Sequence, residues 1–435
     1  MAVFTEHEFR PVILGADITA YTLARTFYEA YQVKPLVVNM SHTRVIETSR
    51  ILEHVFVEGL ERDDVFVDAL LDIGARYGEQ AGKKLIVLGC GDWYVRMLVE
   101  HKEALQQHFL VPYIDLELLD RIVLKDHFYG ILDELGIPYP RTVVYDCKTK
   151  VLPEFDFGWP IVAKPASSAL YHYAQFPGKK KVFILSDRAE LEEMLTNLAQ
   201  SSYDYTFLIQ EFIPGDDTGM RVLTCYSDRS GQVHFGSVGQ TLLEEHVPSA
   251  IGNPCAIIST RQDEIVHQAK RFLEHIGYTG FANFDLKYDP RDGTFKFFEI
   301  NVRLGRSNYY VTAAGHNVAQ WLVRDLVRHE PMQGLTISEQ EHLFTFVPKH
   351  VITTYVKHTG LRAKALQLYR TGRWSDPQRY AADLTLARRL YLAAYAVNQI
   401  RKFRRYFTDR DTAFGDPRGG RSDHRSGGSG GGGAA

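Results

Sequence analysis

Short apolar runs alternate with stretches of helical periodicity over the first 120 residues. The run RPVILG at 10–15 ends in glycine and precedes DITAYTLARTFYEAY, whose apolar residues recur at helical spacing. The same order returns with PLVVN at 35–39 and with KLIVL at 84–88, which leads through GCGD into another helical stretch. Strand, glycine turn and helix in succession predict an α/β fold that begins with a parallel, Rossmann-like sheet. The turns GADITA and GCGDWY lack G-x-G-x-x-G, so dinucleotide binding is not favoured.

The pattern changes after residue 120. LKDHFYGILDELG predicts a helix that Gly136 can cap. Residues 150–240 are dominated by strands, with one helix, DRAELEEMLTNLAQ, opened by Ser186 or Asp187. A helix at 262–276 then precedes two alternating strands joined by the turn DPRDG, which is a strong hairpin signal.

The hairpin NFDLKYDPRDGTFKFFEINVR carries the clearest candidate chemistry. Period-2 alternation places Glu299 and Asn301 on one face, and the hairpin brings Asp285 across from them, with Arg303 next in the row. Three oxygen ligands on a rigid sheet face suit Mg²⁺ that also holds phosphate. An ordinary solvated strand face with charge pairs is the alternative, and it stays open at this point.

The opposite face of this hairpin is expected to be buried. Phe297, Phe298 and Ile300 supply the apolar side chains for that face. The polar face is therefore left free either for a metal ion or for solvent.

Two lysines and one strand end are further candidates. Lys164 ends the apolar strand PIVAKP, where a lysine needs an anionic partner, whereas Lys125 reads equally well as a solvated helix residue. In LIQEFIPGDD an apolar strand leaves through Gln210 and Glu211 into a Pro-Gly turn with Asp217. Such an edge can offer backbone groups to an adenine and a carboxylate to a ribose, or it is simple turn chemistry.

A basic region follows Pro331. Residues 361–410 carry twelve Lys/Arg and three Asp/Glu, and RRLYLAAYAVNQIRKFRRYF has apolar residues at helical spacing. The apolar stripe is Leu390, Ala393, Ala394, Val397 and Ile400. We expect this stripe to dock on the core; the alternative is that the basic ends attract the phosphates of a precursor or of a membrane surface. The terminal SGGSGGGGAA is low-complexity and is excluded from the fold.

Composition indicates which binding partners and which cellular compartment are expected. The 435-residue chain has a formal net charge of −3, which does not favour binding to nucleic acid or to a membrane surface. Four dispersed cysteines without a C-x-x-C pair favour a reducing compartment. The acidic, aromatic N-terminus is not typical of a signal peptide, and no apolar run reaches the roughly 20 residues of a membrane-spanning helix. We therefore expect a cytoplasmic protein.

Taken in order, these motifs resemble the ATP-grasp superfamily from residue 10 to about residue 330. The resemblance implies an ATP-grasp fold with two α+β lobes that clasp ATP, and it implies Mg²⁺, with two ions expected. The implied nucleotide-binding residues are Lys125, Lys164, Gln210, Glu211, Phe212, Ile213 and Asp217, and the implied metal ligands are Asp285, Glu299 and Asn301. The predicted units are a Rossmann-like domain at 8–120, lobes at 121–206 and 207–330, a basic helical extension at 331–410 and a flexible tail at 411–435.

A narrower resemblance is to the D-aspartate ligases of Gram-positive bacteria. It rests on PVILGADITAYTLARTF, FIPGDDTGMRVL, YTGFANFDLKYDPRDG and FEINVRLGRSNYYVT. This resemblance implies that the β-carboxylate of D-aspartate is activated and joined to the lysine ε-amine of a UDP-MurNAc-pentapeptide-type precursor. Arg303 and Arg306 are the implied catalytic residues, which stabilise the transferring phosphoryl group and the tetrahedral oxyanion.

Some features depart from the pattern or leave alternatives. The stretch after Lys164 lacks a glycine-rich phosphate loop, and Ser167 or Ser168 can substitute for it. The sequence does not indicate which residue acts as the general base for the amine. The histidines near the predicted site loops, at 172, 234 and 246, are expected to be structural or solvated. Another acid–amine ligase and a non-catalytic nucleotide-binding module remain the rival functions.

Overall fold

The computed structural model describes residues 8–167, 170–171, 173–247 and 250–407. The predicted tail at 411–435 lies outside these ranges. The described chain contains three sheets.

The N-terminal sheet is parallel, with strand order β3-β2-β1-β4-β5. Its strands β1 to β5 are Phe9–Leu14, Leu36–Asn39, Glu53–Phe56, Lys84–Gly89 and Phe109–Leu110. The helices α1 to α5 between them are Ile18–Tyr31, Arg44–Glu47, Asp63–Gly74, Asp92–Glu100 and Lys102–Leu105. The carboxylate of Asp17 caps α1 by accepting from Thr19 N at 3.0 Å. The prediction of a Rossmann-like parallel sheet is confirmed.

Two helices, α6 at Leu116–Val123 and α7 at Lys125–Glu134, lead into a four-stranded sheet with order β6-β9-β7-β8. Its strands β6 to β9 are Thr142–Asp146, Ile161–Pro165, Phe183–Leu185 and Thr206–Glu211, and helix α8 is Arg188–Leu198. Gly136 ends α7 with a φ of 61°, as its capping role requires. We expected the first lobe to end at 206, but the whole strand β9 pairs within this sheet.

The largest sheet is mostly antiparallel, with order β14-β13-β10-β11-β12-β16-β17 and β15 beside β11. Its strands β10 to β17 are Met220–Ser227, Val233–Glu244, Pro254–Thr260, Gly280–Asp289, Thr294–Asn301, Thr336–Ile337, Leu343–Thr345 and Trp374–Ser375. The helices α9 to α14 are Asp263–His275, Tyr309–Ala313, Val318–Leu322, Lys349–Tyr355, Thr359–Arg370 and Leu386–Tyr406. The predicted hairpin is the pair β13–β14.

The three sheets differ in how far they share apolar clusters with one another. The four-stranded sheet has an apolar cluster of its own, which includes Ile161, Phe183 and Phe207. In contrast, side chains of the N-terminal domain and of the largest sheet share clusters, and Phe128 of α7 packs into one of them. The small sheet is therefore the part with the weakest apolar connection to the rest of the protein.

The C-terminal helix α14 docks on the core, but through a different face from the one we predicted. Leu390 and Val397 of the predicted stripe are 66% and 48% exposed. Leu392 and Phe403 are buried instead, and of the predicted stripe Ile400 packs against the core. The stripe prediction was wrong because apolar spacing alone did not reveal that aromatic and polar side chains, rather than alanines, fill the interface on this helix.

The most deeply buried contact of α14 is ionic. Arg388 is fully buried, lies 3.4 Å from the buried carboxylate of Asp383 and donates to Val45 O at 3.0 Å. Its guanidinium also stacks over the ring of Tyr21 at 3.8 Å. Arg388 therefore fastens the extension to the N-terminal domain.

We expect Arg388→Met to destabilise the protein by about 3–5 kcal/mol, since it leaves the buried Asp383 carboxylate without its cation. Chemical denaturation followed by circular dichroism measures the free energy of unfolding. Arg389→Gln is the matched control, because Arg389 is exposed on the same helix. A loss for Arg388→Met no larger than that of the control would contradict this assignment.

Candidate active site

The hairpin β13–β14 places its polar residues in register. Asp285 lies directly opposite Glu299, and Asn283 lies opposite Asn301. Asn301 Nδ2 donates to Asp285 Oδ2 at 3.1 Å, so the carboxylates and the amide share one small area of the sheet face. The turn between the strands closes through Asp289, whose Oδ1 accepts from Arg291 N at 3.0 Å.

A β-bulge interrupts this hairpin next to the carboxylates. The register shifts between Asp285 and Leu286, so Phe298 is left without a paired residue. We expected Phe298 on the buried face with Phe297 and Ile300, and this was wrong. The bulge turns the half-buried Phe298 ring toward Lys164, whose Nζ lies 5.6 Å from the ring centroid.

The electrostatics of the two carboxylates differ. Burial raises the pKa of Asp285, and the facing charge of Glu299 adds to the rise. Burial acts in the same direction on Glu299, but the surrounding lysines, Lys125 foremost, outweigh it and lower the pKa of that carboxyl. The lysines thus favour the ionised form of Glu299, and the negative charge of Glu299 disfavours ionisation of Asp285.

This donor set fits a magnesium ion. Two facing carboxylates that repel each other gain from a divalent cation between them, and the Asn301 amide supplies a third oxygen. Mg²⁺ completes its coordination with water and phosphate oxygens rather than with further protein carboxylates. Within the described residues no group of three or more His, Cys, Asp and Glu side chains forms a metal site. The assignment of Asp285, Glu299 and Asn301 as ligands therefore stays a prediction supported by their geometry.

Arg303 follows Glu299 and Asn301 along the chain, just after the end of β14. Arg303 donates through Nη2 to Asn301 Oδ1 at 3.3 Å and through Nε to Asp92 Oδ1 at 2.7 Å. Asp92 stands at the start of α4, at the carboxyl end of β4. The N-terminal domain therefore positions Arg303 beside the predicted metal ligands.

The two predicted nucleotide lysines converge on this hairpin from different elements. Lys125 Nζ, at the start of α7, lies 3.4 Å from Glu299 Oε2. Lys164 Nζ donates to the hydroxyl of Tyr129 at 3.2 Å, and burial lowers the pKa of Lys164 to about 8, against the attraction of Glu299. A cation that is poorly compensated within the protein suits a phosphate ligand.

The end of strand β9 is held by charges that the sequence did not reveal. The Glu211 carboxylate accepts from Arg141 N at 2.9 Å and from Arg291 Nη2 at 2.9 Å, and it is 6% exposed. Gln210 donates to Thr142 Oγ1 at 2.7 Å. The side chains of Gln210 and Glu211 therefore hold the strand end in place, and Ile213 is buried. The predicted contacts of residues 210–213 with the nucleotide are thus expected from their backbone groups.

The predicted ribose residue is also engaged. Asp217 Oδ2 accepts from Glu244 N at 2.9 Å and pairs with His246 Nε2 at 3.2 Å. His246 therefore touches a candidate site residue, whereas His234 is a structural residue between Asp228 and Gly334 O. The phosphate-loop candidate Ser167 has its amide 3.4 Å from Tyr203 Oη, while Ser168 and His172 lie outside the described residues.

Asp217→Ala should raise the KM for ATP about tenfold and change kcat little, because it removes one charged hydrogen-bonding group at the predicted ribose end. Steady-state ADP release at varied ATP measures both constants. Asp216→Ala is the control, since Asp216 is the neighbouring carboxylate of the same turn, bonds to Thr218 N and Oγ1, and is not a predicted nucleotide residue. Equal effects in the two variants would show that the turn, rather than a ribose contact, is responsible.

The second predicted catalytic arginine lies farther along the chain and is held by a buried acid. Arg306 Nη2 lies 3.4 Å from Oε1 of Glu245, whose side chain is 2% exposed. Lys402 of α14 approaches the other oxygen of Glu245 at 3.6 Å. The sequence singled out Arg306 but gave no signal for Glu245, because its importance comes from elements more than 60 residues apart.

The comparisons with known proteins agree with this geometry. Residues 155–324 match the family described as the carbamoyl-phosphate synthase L chain, ATP binding domain. The chain is 36% identical over 408 residues to a D-aspartate ligase of Enterococcus faecium, which covers 92% of this chain and 97% of that protein. A D-alanine–D-alanine ligase of Pseudomonas entomophila is 26% identical over 213 residues, or 46% of this chain and 61% of that protein.

Solved structures support the fold. An L-amino acid ligase from Bacillus licheniformis superposes with a TM-score of 0.53 and 18% identity, over 74% of this chain and 75% of that one. An ADP complex of N5-carboxyaminoimidazole ribonucleotide synthetase gives a TM-score of 0.55 at 12% identity, over 79% and 82% of the chains. The predicted ATP-grasp fold is confirmed, and the chain belongs to the D-aspartate ligase family of ATP-grasp carboxylate–amine ligases.

Proposed function

We propose that this protein is an ATP-dependent ligase that joins the β-carboxylate of D-aspartate to the ε-amine of a lysine in a peptidoglycan precursor. The acceptor is of the UDP-MurNAc-pentapeptide type. The observation that carries the proposal is the near-complete alignment with a D-aspartate ligase, which extends through the N-terminal domain and the extension as well as the ATP-binding part.

The chemistry needs activation because a carboxylate does not react with an amine at neutral pH. A carboxylate oxygen attacks the γ-phosphorus, the bond to the bridging oxygen breaks, and ADP leaves. The amine nitrogen then attacks the acyl carbon of the acyl phosphate, phosphate leaves, and the nitrogen gives up a proton. Mg-ATP supplies the phosphoryl group for the first step.

The residues of the chain divide this work. Asp285, Glu299 and Asn301 would hold magnesium, and we propose two ions there. Lys164 and Arg303 face the transferring phosphoryl group and neutralise its charge, since fixed positive groups act strongly where water is excluded. Arg303, joined by Arg306, stabilises the oxyanion that develops during attack of the amine.

Mass spectrometry tests the proposed reaction directly. Protein is incubated with Mg-ATP, D- or L-aspartate and a lysine-containing precursor. The expected product is the precursor extended by one aspartyl residue, formed with D-aspartate and accompanied by stoichiometric ADP. ADP release with other acids or amines but not with aspartate would instead identify a dipeptide-type ligase. ATP binding without acid-dependent ADP formation would leave only a nucleotide-binding module.

We place this reaction in the cytoplasm, where both ATP and a nucleotide-linked precursor are found. The free thiols of Cys90, Cys147, Cys225 and Cys255 agree with a reducing compartment. Among the described helices, none combines the length and the apolar character needed to cross a bilayer.

Helix α14 docks on the core, as we expected. We propose weak peripheral contact with anionic membranes only as the alternative role of its exposed residues Arg401, Arg404 and Arg405. Replacing Arg401, Arg404 and Arg405 with glutamine should preserve folding and ATP use and abolish salt-sensitive sedimentation with anionic liposomes. Lys402 is left unchanged because it contacts Glu245. Undiminished sedimentation of the variant, or no sedimentation of the unmodified protein, would exclude this contact.

A further inference from the structure

A cavity of about 500 Å³ lies between the N-terminal sheet and the C-terminal extension. Its floor is formed where parallel strands end: Gly15 and Asp17 follow β1, Ser41 and Arg44 follow β2, and Cys90 follows β4. Strand order reverses between β1 and β4, and ligands of open α/β sheets bind outside the carboxyl ends of strands at such a point. The cavity therefore lies at the edge where this sheet is suited to receive a ligand.

Glycine at position 15 keeps this floor open. A Cβ atom there would lie 2.8 Å from the Cβ of Cys90, closer than side chains tolerate, and the φ of 153° also disfavours other residues. The backbone of β1 can thus turn into α1 directly beside β4.

The roof belongs to the extension. Tyr391 and Tyr395 of α14 line the cavity together with Gln378, and the Tyr391 hydroxyl lies 3.3 Å from Gln378 Oε1. Arg388, one turn earlier on α14, fixes this helix to the N-terminal domain. The same helix therefore both docks on the core and closes the cavity.

The cavity adjoins the predicted reaction centre. Arg306 lines it, and the buried Nε of Arg306 has no hydrogen-bond partner among the described residues. Cys90 is two residues before Asp92, which holds Arg303 at 2.7 Å. A ligand in the cavity would therefore have one end beside the arginines that follow the metal ligands.

Charge in the lining points to an acidic ligand. The charged lining residues are Arg44, Arg306 and Asp17. Glu245, which pairs with Arg306, also pairs with Lys402, so these groups together keep a net positive charge. In the described part of the chain the Arg44 guanidinium has no ion-pair or hydrogen-bond partner, and the residue is exposed. An amino acid with two carboxylates and one ammonium group complements this set, with its reacting carboxylate at Arg306 and its other carboxylate at Arg44.

We propose that this cavity is the amino-acid subsite, that Arg44 anchors the non-reacting carboxylate of the acid, and that Tyr391 and Tyr395 of the extension form its specificity-determining wall. The proposal rests on the proposed function and names the site of its acid substrate. The volume exceeds what one aminodicarboxylate needs, so the end of an alkylamine acceptor can enter beside it.

Arg44→Gln tests the anchor in the full-length protein. D-aspartate is compared with β-alanine, which keeps the amine and the reacting carboxylate but lacks the other carboxylate. We expect the KM for D-aspartate to rise about tenfold or more, the KM for ATP to stay unchanged, and the preference for D-aspartate over β-alanine to fall by a similar factor. Arg62→Gln is the matched control, since Arg62 is an exposed arginine of the same domain that pairs with Asp64.

Tyr395→Leu tests the wall, with Val397→Leu as the control on the exposed side of the same helix. The wall variant should raise the KM for D-aspartate severalfold without changing that for ATP, and the control should change neither. Ser41→Asp, at an exposed lining position, should also raise the KM for D-aspartate by adding a negative charge.

The outcomes separate this inference from the proposed function. If the unmodified protein forms no ADP with D-aspartate, the proposed function fails. If the unmodified protein is active but Arg44→Gln keeps both its KM for D-aspartate and its discrimination against β-alanine, the acid does not bind here. If Tyr395→Leu keeps the wild-type KM for D-aspartate, the extension does not form a wall of this subsite.

Discussion

Asp285→Asn, Glu299→Gln and Asn301→Ala are each expected to reduce acid-dependent ADP formation by a thousandfold or more. The physical reason is that each change removes a proposed oxygen ligand of magnesium or its charge. Loss of metal-centred charge stabilisation costs several kcal/mol at the transition state, or about 4 kcal/mol for a thousandfold change. Glu299→Gln should have a second effect, since it also leaves Lys125 without the carboxylate 3.4 Å away.

ADP release at varied Mg²⁺ concentration measures this expectation, and circular dichroism checks that each variant folds. Asp292→Asn is the control on the same hairpin, because Asp292 lies in the turn and its side chain is 45% exposed. We expect the control to keep normal turnover and normal dependence on Mg²⁺. Near-normal turnover in all three site variants would remove the magnesium assignment from this hairpin.

Lys164→Ala is expected to lower kcat/KM for ATP about a hundredfold or more, since it removes the fixed positive charge that we propose to face the phosphates of ATP. Folding should be little affected. The ammonium is buried against Tyr129 and Phe298, and burial already disfavours its charged form, so removing it relieves a desolvation cost.

Steady-state kinetics and a nucleotide-binding titration measure the effect of Lys164→Ala. Lys148→Ala is the matched control in the same lobe, where the Lys148 side chain is 68% exposed and its Nζ lies 3.8 Å from Asp204 Oδ2. The control should keep normal ATP affinity and rate. A competing nucleotide site would be indicated if ATP affinity and rate were both unchanged in Lys164→Ala.

Much of the fold follows from local patterns. The glycine-terminated apolar runs predicted the parallel sheet, and the turn DPRDG predicted the β13–β14 hairpin. Period-2 alternation placed Glu299 and Asn301 on one face, where Asn301 does reach Asp285. These inferences succeeded because backbone periodicity and turn chemistry act over a few residues.

Other predictions failed where a bulge interrupts the alternation of a strand, or where either of two faces of a helix could pack against the core. The bulge after Asp285 moved Phe298 off the buried face, and no feature of the sequence marks that extra residue. On α14 the alanine-rich stripe appeared apolar enough to dock, yet Leu392, Phe403 and the ion pair of Arg388 form the interface. Which face is buried depends on the shape and charge of the partner surface.

The sequence by itself determined the order of elements and the identity of the residues that carry charge, because both are written in local spacing. Tertiary structure alone decided which of those charges meet. Asp92 reaches Arg303 across 211 residues, Glu245 reaches both Arg306 and Lys402, and the cavity joins Arg44 to Tyr395. Such pairs depend on how separately folded elements pack, and that packing reflects the burial of the whole chain rather than any local pattern.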